Sequence, residues 1–202
     1  MRRSWFVVMV ALCVGVFAAA CGKPPQQELD AAQAAMTEAE QAQAATYAPD
    51  EWSRAQEAMN AVNTEMEAQN AKFALIRSYG KTKENIAAAQ TAAAEARDAA
   101  MAGKERMHSE AQAAADAAKA SLDSAQQMMT TLEGCPRKPK GFSKDMEMMK
   151  GNWDGLSAQM AEIDAAMQRE DYAAAKSQAE SLKASADTLN TDLQSAKDKM
   201  KC

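Results

Sequence analysis

Thiols are the side chains with the widest scope for chemistry in this chain, which contains Cys13, Cys21, Cys135 and Cys202. A thiol can be acylated, can pair in a disulfide or can bind a soft metal ion. Histidine offers less, because His108 is the only one in the sequence. We therefore expect no multi-histidine metal site and no histidine-based catalytic triad. The predicted position of His108 within a helix favours a solvated surface side chain.

Cys21 has the sequence context of a lipid-modified cysteine. A basic start and an apolar run over residues 5–20 precede it, and the run ends in three alanines. This order is typical of a secretory signal peptide with its cleavage site. With Gly22 after the cysteine, the segment resembles the lipobox of bacterial lipoproteins. The resemblance implies that residues 1–20 are a signal peptide and that Cys21 carries diacylglycerol as the first residue of the mature chain.

Two alternatives concern the same segment. An uncleaved membrane anchor is less favoured, because the apolar run is shorter than the about 20 residues that cross a bilayer. Lipidation of Cys13 is less favoured because bulky Leu12 precedes it. By the general sorting rule of Gram-negative lipoproteins, Gly22 after the cysteine implies the periplasmic face of the outer membrane.

Cys135 and Cys202 both remain in the predicted mature chain, and the oxidising cell envelope favours a disulfide between them. The helical register predicts that Met200 lies level with the loop that contains Cys135. The closed loop would contribute about 4 kcal/mol to stability in the chain-entropy model. Two free thiols, or an intermolecular bridge through Cys202, are the alternatives.

Methionine is the second residue type that could bind a ligand, and the chain has 15 of them. Several are predicted to converge near a loop at residues 134–142, where soft thioethers would select Cu(I). Met128, Met146 and Met148 are the candidate ligands of this alternative. Since neighbouring methionines fall on an apolar helix seam, core packing is the favoured interpretation, and we expect no metal and no cofactor.

Composition predicts an all-α protein. Alanine, glutamate, glutamine, lysine and methionine dominate and are strong helix formers, whereas aromatic residues make up 5% of the chain. Without Arg2 and Arg3 the net charge is −7, and no basic patch stands out. We therefore expect no nucleic-acid partner and no polybasic membrane-binding surface. No Gly-rich phosphate loop and no Cys-x-x-Cys motif occurs, so we expect no enzymatic activity.

Apolar residues at alternating steps of three and four predict long helices. Five helices are predicted. The first covers residues 26–46, and the second begins at Pro49 and ends at a tight turn at Gln69-Asn70. The third covers 72–133, the fourth runs from the end of the 134–142 loop to Arg169, and the fifth covers 172–200. The third would be about 90 Å long. We expect an elongated antiparallel bundle or coiled coil of two three-helix units that share this central helix. Residues 21–26 form the tether, 27–103 the first unit and 104–202 the second. Phe73-Ala74 and Tyr172-Ala173 suggest a weak internal repeat.

The sequence Tyr47-Ala48-Pro49-Asp50-Glu51-Trp52, preceded by Leu29-Asp30-Ala31-Ala32 and followed by Phe73-Ala74, resembles a family of alanine-rich bacterial lipoproteins. That family is catalogued as a domain of unknown function. The resemblance implies an envelope-attached helical domain and no particular activity. We expect a non-enzymatic rod, spacer or adaptor with a helical protein partner. A soft-metal or small-molecule binding module is the alternative, and the oligomeric state stays open.

The lipidation hypothesis predicts the outcome of Cys21→Ser. The variant should stay as uncleaved precursor or leave the membrane, because serine lacks the thiol that accepts diacylglycerol. Membrane fractionation with a labelled fatty acid measures this, and Cys13→Ser serves as the control that keeps the label. Lipid incorporation unchanged in Cys21→Ser would contradict the hypothesis.

Overall fold

The computed structural model describes residues 23–201, and this part of the chain is all-α, as predicted. The helices are α1 (Gln26–Gln41), α2 (Ala44–Tyr47), α3 (Pro49–Asn70), α4 (Gly80–Glu133), α5 (Phe142–Gln168) and α6 (Tyr172–Met200), with a short 3-10 helix at Ala74–Ile76. The predicted signal peptide and Cys21 lie outside the described residues, as does Cys202.

The first predicted helix is interrupted. It was expected to run over 26–46, but α1 ends at Gln41 and Gln43 adopts a left-handed backbone conformation, φ 60°. The amide of Gln43 donates to the carbonyl of Glu40, which closes the last turn of α1. The single turn α2 then leads to Pro49, which begins α3 at a position where its missing N–H costs nothing.

The start of the long helix was predicted wrongly. It begins at Gly80 rather than Lys72, and residues 71–79 form a separate connection. The predicted tight turn at Gln69-Asn70 is also wrong, since both residues belong to α3. The amide of Ser78 donates to the Gln69 side-chain oxygen, 3.0 Å away, and this contact joins the end of the connection to α3.

The weak internal repeat suggested by Phe73-Ala74 and Tyr172-Ala173 is not present in the structure at these residues. Phe73 lies in the exposed connection before α4, whereas Tyr172 is the first residue of α6 and packs on a hydrophobic core. Asp171 caps α6 by accepting a hydrogen bond from the amide of Ala174 at 3.2 Å. The two segments therefore differ in local structure.

The chain divides into two compact units between Gly103 and Lys104. In the first unit, α1, α3 and α4 meet through small side chains: Ala39, Ala55, Ala93 and Ala96 are fully buried together. A second cluster at the opposite end joins Ala32, Val62, Ile86 and Ala89. Because alanine projects so little, the helix backbones approach closely along this seam.

The second unit consists of α5, α6 and the part of α4 from Lys104 onward. Trp153 of α5 donates its indole N–H to the carbonyl of Leu122 in α4 at 3.0 Å, so these residues lie at one level of the unit. Trp153 and Met160 pack against a core cluster that includes the fully buried Ala179 and Ala186 of α6. Large side chains on α5 thus face small ones on α6, which lets the layers interdigitate.

Close packing predicts opposite effects of one substitution at two helical glycines. A Cβ atom at Gly103 would lie 2.4 Å from the carbonyl oxygen of Tyr47, whereas one at Gly151 has nothing within 4 Å. Gly103→Ala should lower the free energy of unfolding by about 1–2 kcal/mol, since overpacking outweighs the gain in helix propensity. Gly151→Ala should raise it by about 0.5–1 kcal/mol. Urea denaturation followed by circular dichroism measures both, and stabilisation by Gly103→Ala would contradict the packing.

Candidate functional site

Cys135 lies just after the end of α4 and is buried. It belongs to a hydrophobic cluster with Leu132, Met146, Leu193 and Met200. Cys135 is disulfide-bonded, and its partner lies outside the described residues. Met200 is two residues from the predicted partner, Cys202, and shares the cluster of Cys135. The pairing of Cys135 with Cys202 stays a prediction, supported by this proximity.

The predicted methionine ligands do not all meet. Met128 and Met146 pack against the hydrophobic cluster around Cys135, whereas the side chain of Met148 is 58% exposed. Met146 and Met148 line one groove together with Met149 and Met200, and Met128 is not part of its lining. The structure therefore brings two of the three candidate ligands together, with Met149 and Met200 beside them.

This groove, the methionine groove, is lined by Met146, Met148, Met149 and Met200 and has a volume of about 350 Å³. Phe142 adds an aromatic wall, while Asp192 and Lys199 supply polar groups. Thioethers at an apolar wall suit an apolar ligand or Cu(I). Among residues 23–201 no three histidine, cysteine, aspartate or glutamate side chains cluster as a metal site.

His108 is not the solvated residue that the sequence indicated. Its side chain is half-buried, and its ring lies 4.8 Å from that of Tyr172 at an interplanar angle of 53°. Tyr172 is the first residue of α6, so the contact joins α6 to α4. The pattern of a single helix could not find this partner, because the contact depends on how two helices pack.

Polar contacts between α4 and α6 are structural in character. Lys176 contacts Glu110 at 2.8 Å, and this hydrogen bond lowers the pKa of Glu110 and raises that of Lys176. Hydrogen bonds from Lys183 and then Ser121 lower the pKa of Asp187. Each carboxylate is held in its charged form by a neighbouring donor, which favours an ion-pairing role over proton transfer.

Sequence reasoning missed a second surface feature. Residues 71–79 were predicted to lie largely within a helix, but they form a connection in which Phe73, Leu75 and Ile76 are exposed. A signal was present, because residues 68–83 contain four basic side chains and no acidic one. The overall acidic charge of the chain obscured this local concentration.

No protein-family model matches the chain, and no match is found among curated proteins or solved structures. The resemblance to the alanine-rich lipoproteins therefore stays a prediction. Within residues 23–201, no helix combines the length and the apolar character needed to cross a bilayer.

The disulfide hypothesis predicts the effect of reduction on the second unit. Reduction should lower its melting temperature by on the order of 10–20 °C, because the unfolded chain regains the entropy of a long closed loop. Most helicity should persist below that temperature, since the core around Leu132 and Leu193 remains. Calorimetry with and without reductant measures the shift.

Cys202→Ser is the matched variant, and it should melt like the reduced protein without added reductant. Titration of the unfolded, unreduced protein should find no reactive thiol at Cys135. Two reactive thiols in the chain would contradict the predicted bond. A covalent dimer that disappears in Cys202→Ser would show an intermolecular bridge instead.

Proposed function

We propose that this protein is a non-enzymatic lipoprotein of the cell envelope that serves as a spacer or adaptor rod. The observation that carries the proposal is the small-residue packing in both units, where alanines such as Ala39, Ala96, Ala118 and Ala179 are fully buried. A carrier requires a pocket for its ligand, whereas a spacer requires helices that pack along their length. The alanine seams suit the second role.

The second part of the proposal is that the chain is attached to a membrane through a lipid anchor at Cys21. The lipobox-like segment that ends at Cys21 would place the chain on a membrane facing the envelope space, and two or three acyl chains give stable anchoring. The proposed location is the periplasmic face of the outer membrane. From there the charged outer faces of the helices would be presented to a helical protein partner.

The spacer proposal predicts an elongated particle. Helix α4 has 54 residues, which corresponds to about 80 Å at the standard rise. Small-angle scattering of the mature chain should give a maximum dimension of about 80 Å or more, against about 50 Å for a compact globule of this size. A compact scattering profile would contradict the spacer role. Crosslinking in intact envelopes with the lipidated protein as bait then identifies the partner.

The methionine groove favours a second candidate function, a soft-metal or small-molecule carrier. If it binds Cu(I), Met146→Leu combined with Met149→Leu should weaken binding at least about tenfold, because two thioether ligands are lost. Met101→Leu is the matched control, since Met101 is an exposed methionine of the first unit. Competition with a Cu(I) chelator measures the affinity. Equal affinity in all three proteins would exclude the groove as the copper site.

A further inference from the structure

The connection between α3 and α4 carries three large apolar side chains that face solvent. Phe73 is 70% exposed, Leu75 73% and Ile76 67%. We name these three residues the apolar tip. All three lie within four consecutive residues, and a concentration of exposed apolar side chains is a feature that marks binding surfaces.

Polar contacts hold the connection in this arrangement. Arg77 donates from Nε to the carbonyl of Lys72 and from Nη2 to the carbonyl of Asn70, each at 3.0 Å. Gln69 is buried, accepts from the amide of Ser78 and donates to Glu65 at 2.8 Å. The hydrogen-bonding groups therefore face inward at the base of the connection, while the apolar groups face outward.

Tyr79 completes the base. It is buried, and its hydroxyl lies 3.4 Å from the side-chain oxygen of Asn70. The aromatic ring of Tyr79 and the amide side chains of Gln69 and Asn70 therefore lie at the base of the connection, where they contact other parts of it. The fold consequently presents Phe73, Leu75 and Ile76 on an ordered support, which is the reverse of the usual distribution of polar and apolar groups in a surface loop.

The apolar tip lies at the end of the first unit where the described chain begins. Lys83, just after the start of α4, contacts Glu28 of α1 at 3.0 Å. Gln90 donates to the carbonyl of Glu28 at 3.0 Å. Pro25, immediately before α1, is buried. The start of α1 and the start of α4 are therefore neighbours, and the connection that precedes α4 shares their end of the unit.

Basic side chains are concentrated in the connection itself and at the start of α4, and Glu67 and Glu84 lie immediately outside this stretch. Residues 68–83 contain Lys72, Arg77, Lys81 and Lys83 and no aspartate or glutamate. Lys81 contacts Glu65 at 3.3 Å and Lys83 contacts Glu28, so acidic residues of α1 and α3 balance part of this charge. Lys72 and Arg77 flank the apolar tip directly. Apolar side chains bordered by basic ones are the combination that favours the interface of an anionic membrane.

We propose that the apolar tip is a second membrane contact, which inserts into the lipid interface beside lipidated Cys21. The inference rests on the proposed lipid anchor. Four residues, 22–25, separate Cys21 from Gln26, the first residue of α1, and the five Cα–Cα steps between these two residues span at most about 18 Å. An acylated Cys21 therefore holds this end of the first unit close to the bilayer. The lipid bilayer is then the surface that Phe73, Leu75 and Ile76 can contact.

Insertion of the apolar tip would fix the orientation of the first unit relative to the membrane, which the lipid anchor by itself does not do. Acyl chains on a short tether fix the distance of the protein from the membrane but leave its tilt free. Insertion of the apolar tip adds another attachment point on the same end of the first unit. The helices α1, α3 and α4 of that unit then leave the membrane in a defined direction, which a spacer or adaptor requires.

Depth-dependent fluorescence quenching tests the proposal on the full mature chain, lipidated and reconstituted into vesicles of phosphatidylethanolamine and phosphatidylglycerol. Phe73→Trp places a reporter in the tip, and Thr46→Trp places one at an exposed position of α2, at the opposite end of the first unit. Acyl-chain-brominated lipid should quench most of the added emission of Phe73→Trp. Emission of Thr46→Trp should be unaffected, as in the unsubstituted protein.

A second variant separates the tip from the anchor. Leu75→Glu with Ile76→Glu in the Phe73→Trp background should abolish the quenching while the protein still floats with vesicles. These positions are exposed, so circular dichroism should show unchanged helicity. Met101→Glu, at an exposed methionine away from the tip, should retain full quenching.

The outcomes distinguish this proposal from the anchor. A protein that floats without quenching of Phe73→Trp overturns tip insertion and leaves the lipid anchor intact. A protein that fails to float overturns both. Crosslinking of the tip to a second copy or to another protein, with no quenching, would replace lipid by a protein occupant and also overturn the proposal.

Discussion

Close approach of helix backbones along alanine seams is the constraint on which the rest of this structure depends. Each buried alanine removes little apolar surface from water, so stability must come from many such contacts repeated along long helices. Larger side chains, such as Val62 and Ile86 in the first unit and Leu182 and Leu193 in the second, occupy fully buried positions at intervals. The seams admit almost no additional volume, as the approach of Gly103 to the Tyr47 carbonyl shows.

The two features on which our proposals depend lie at the surface, next to the ends of helices. The methionine groove lies beside the connection between α4 and α5, and the apolar tip lies in the connection between α3 and α4. In both places an apolar side chain is exposed to solvent, Met148 in the groove and Phe73 in the tip. Each of our proposals therefore concerns a surface, and neither requires the bundles to open.

Electrostatics plays a smaller part in holding the helices together. Pairs such as Lys176 with Glu110 and Lys83 with Glu28 join different helices but are partly exposed, and exposed ion pairs contribute little free energy. The indole N–H of the partly buried Trp153, bonded to the Leu122 carbonyl, is a further polar contact between α5 and α4.

The sequence by itself determined the all-α class, the end of the long helix at Glu133 and the bounds of α6, because helix propensity, apolar periodicity and the positions of proline and glycine are local properties. Only the tertiary structure decided where α4 begins, what His108 contacts and that Phe73 is exposed. Residues 72–79 are compatible with a helix by pattern. In the structure Gln69 and Asn70 bond to Arg77, Ser78 and Tyr79 at the far end of the connection, and no helical period encodes such contacts.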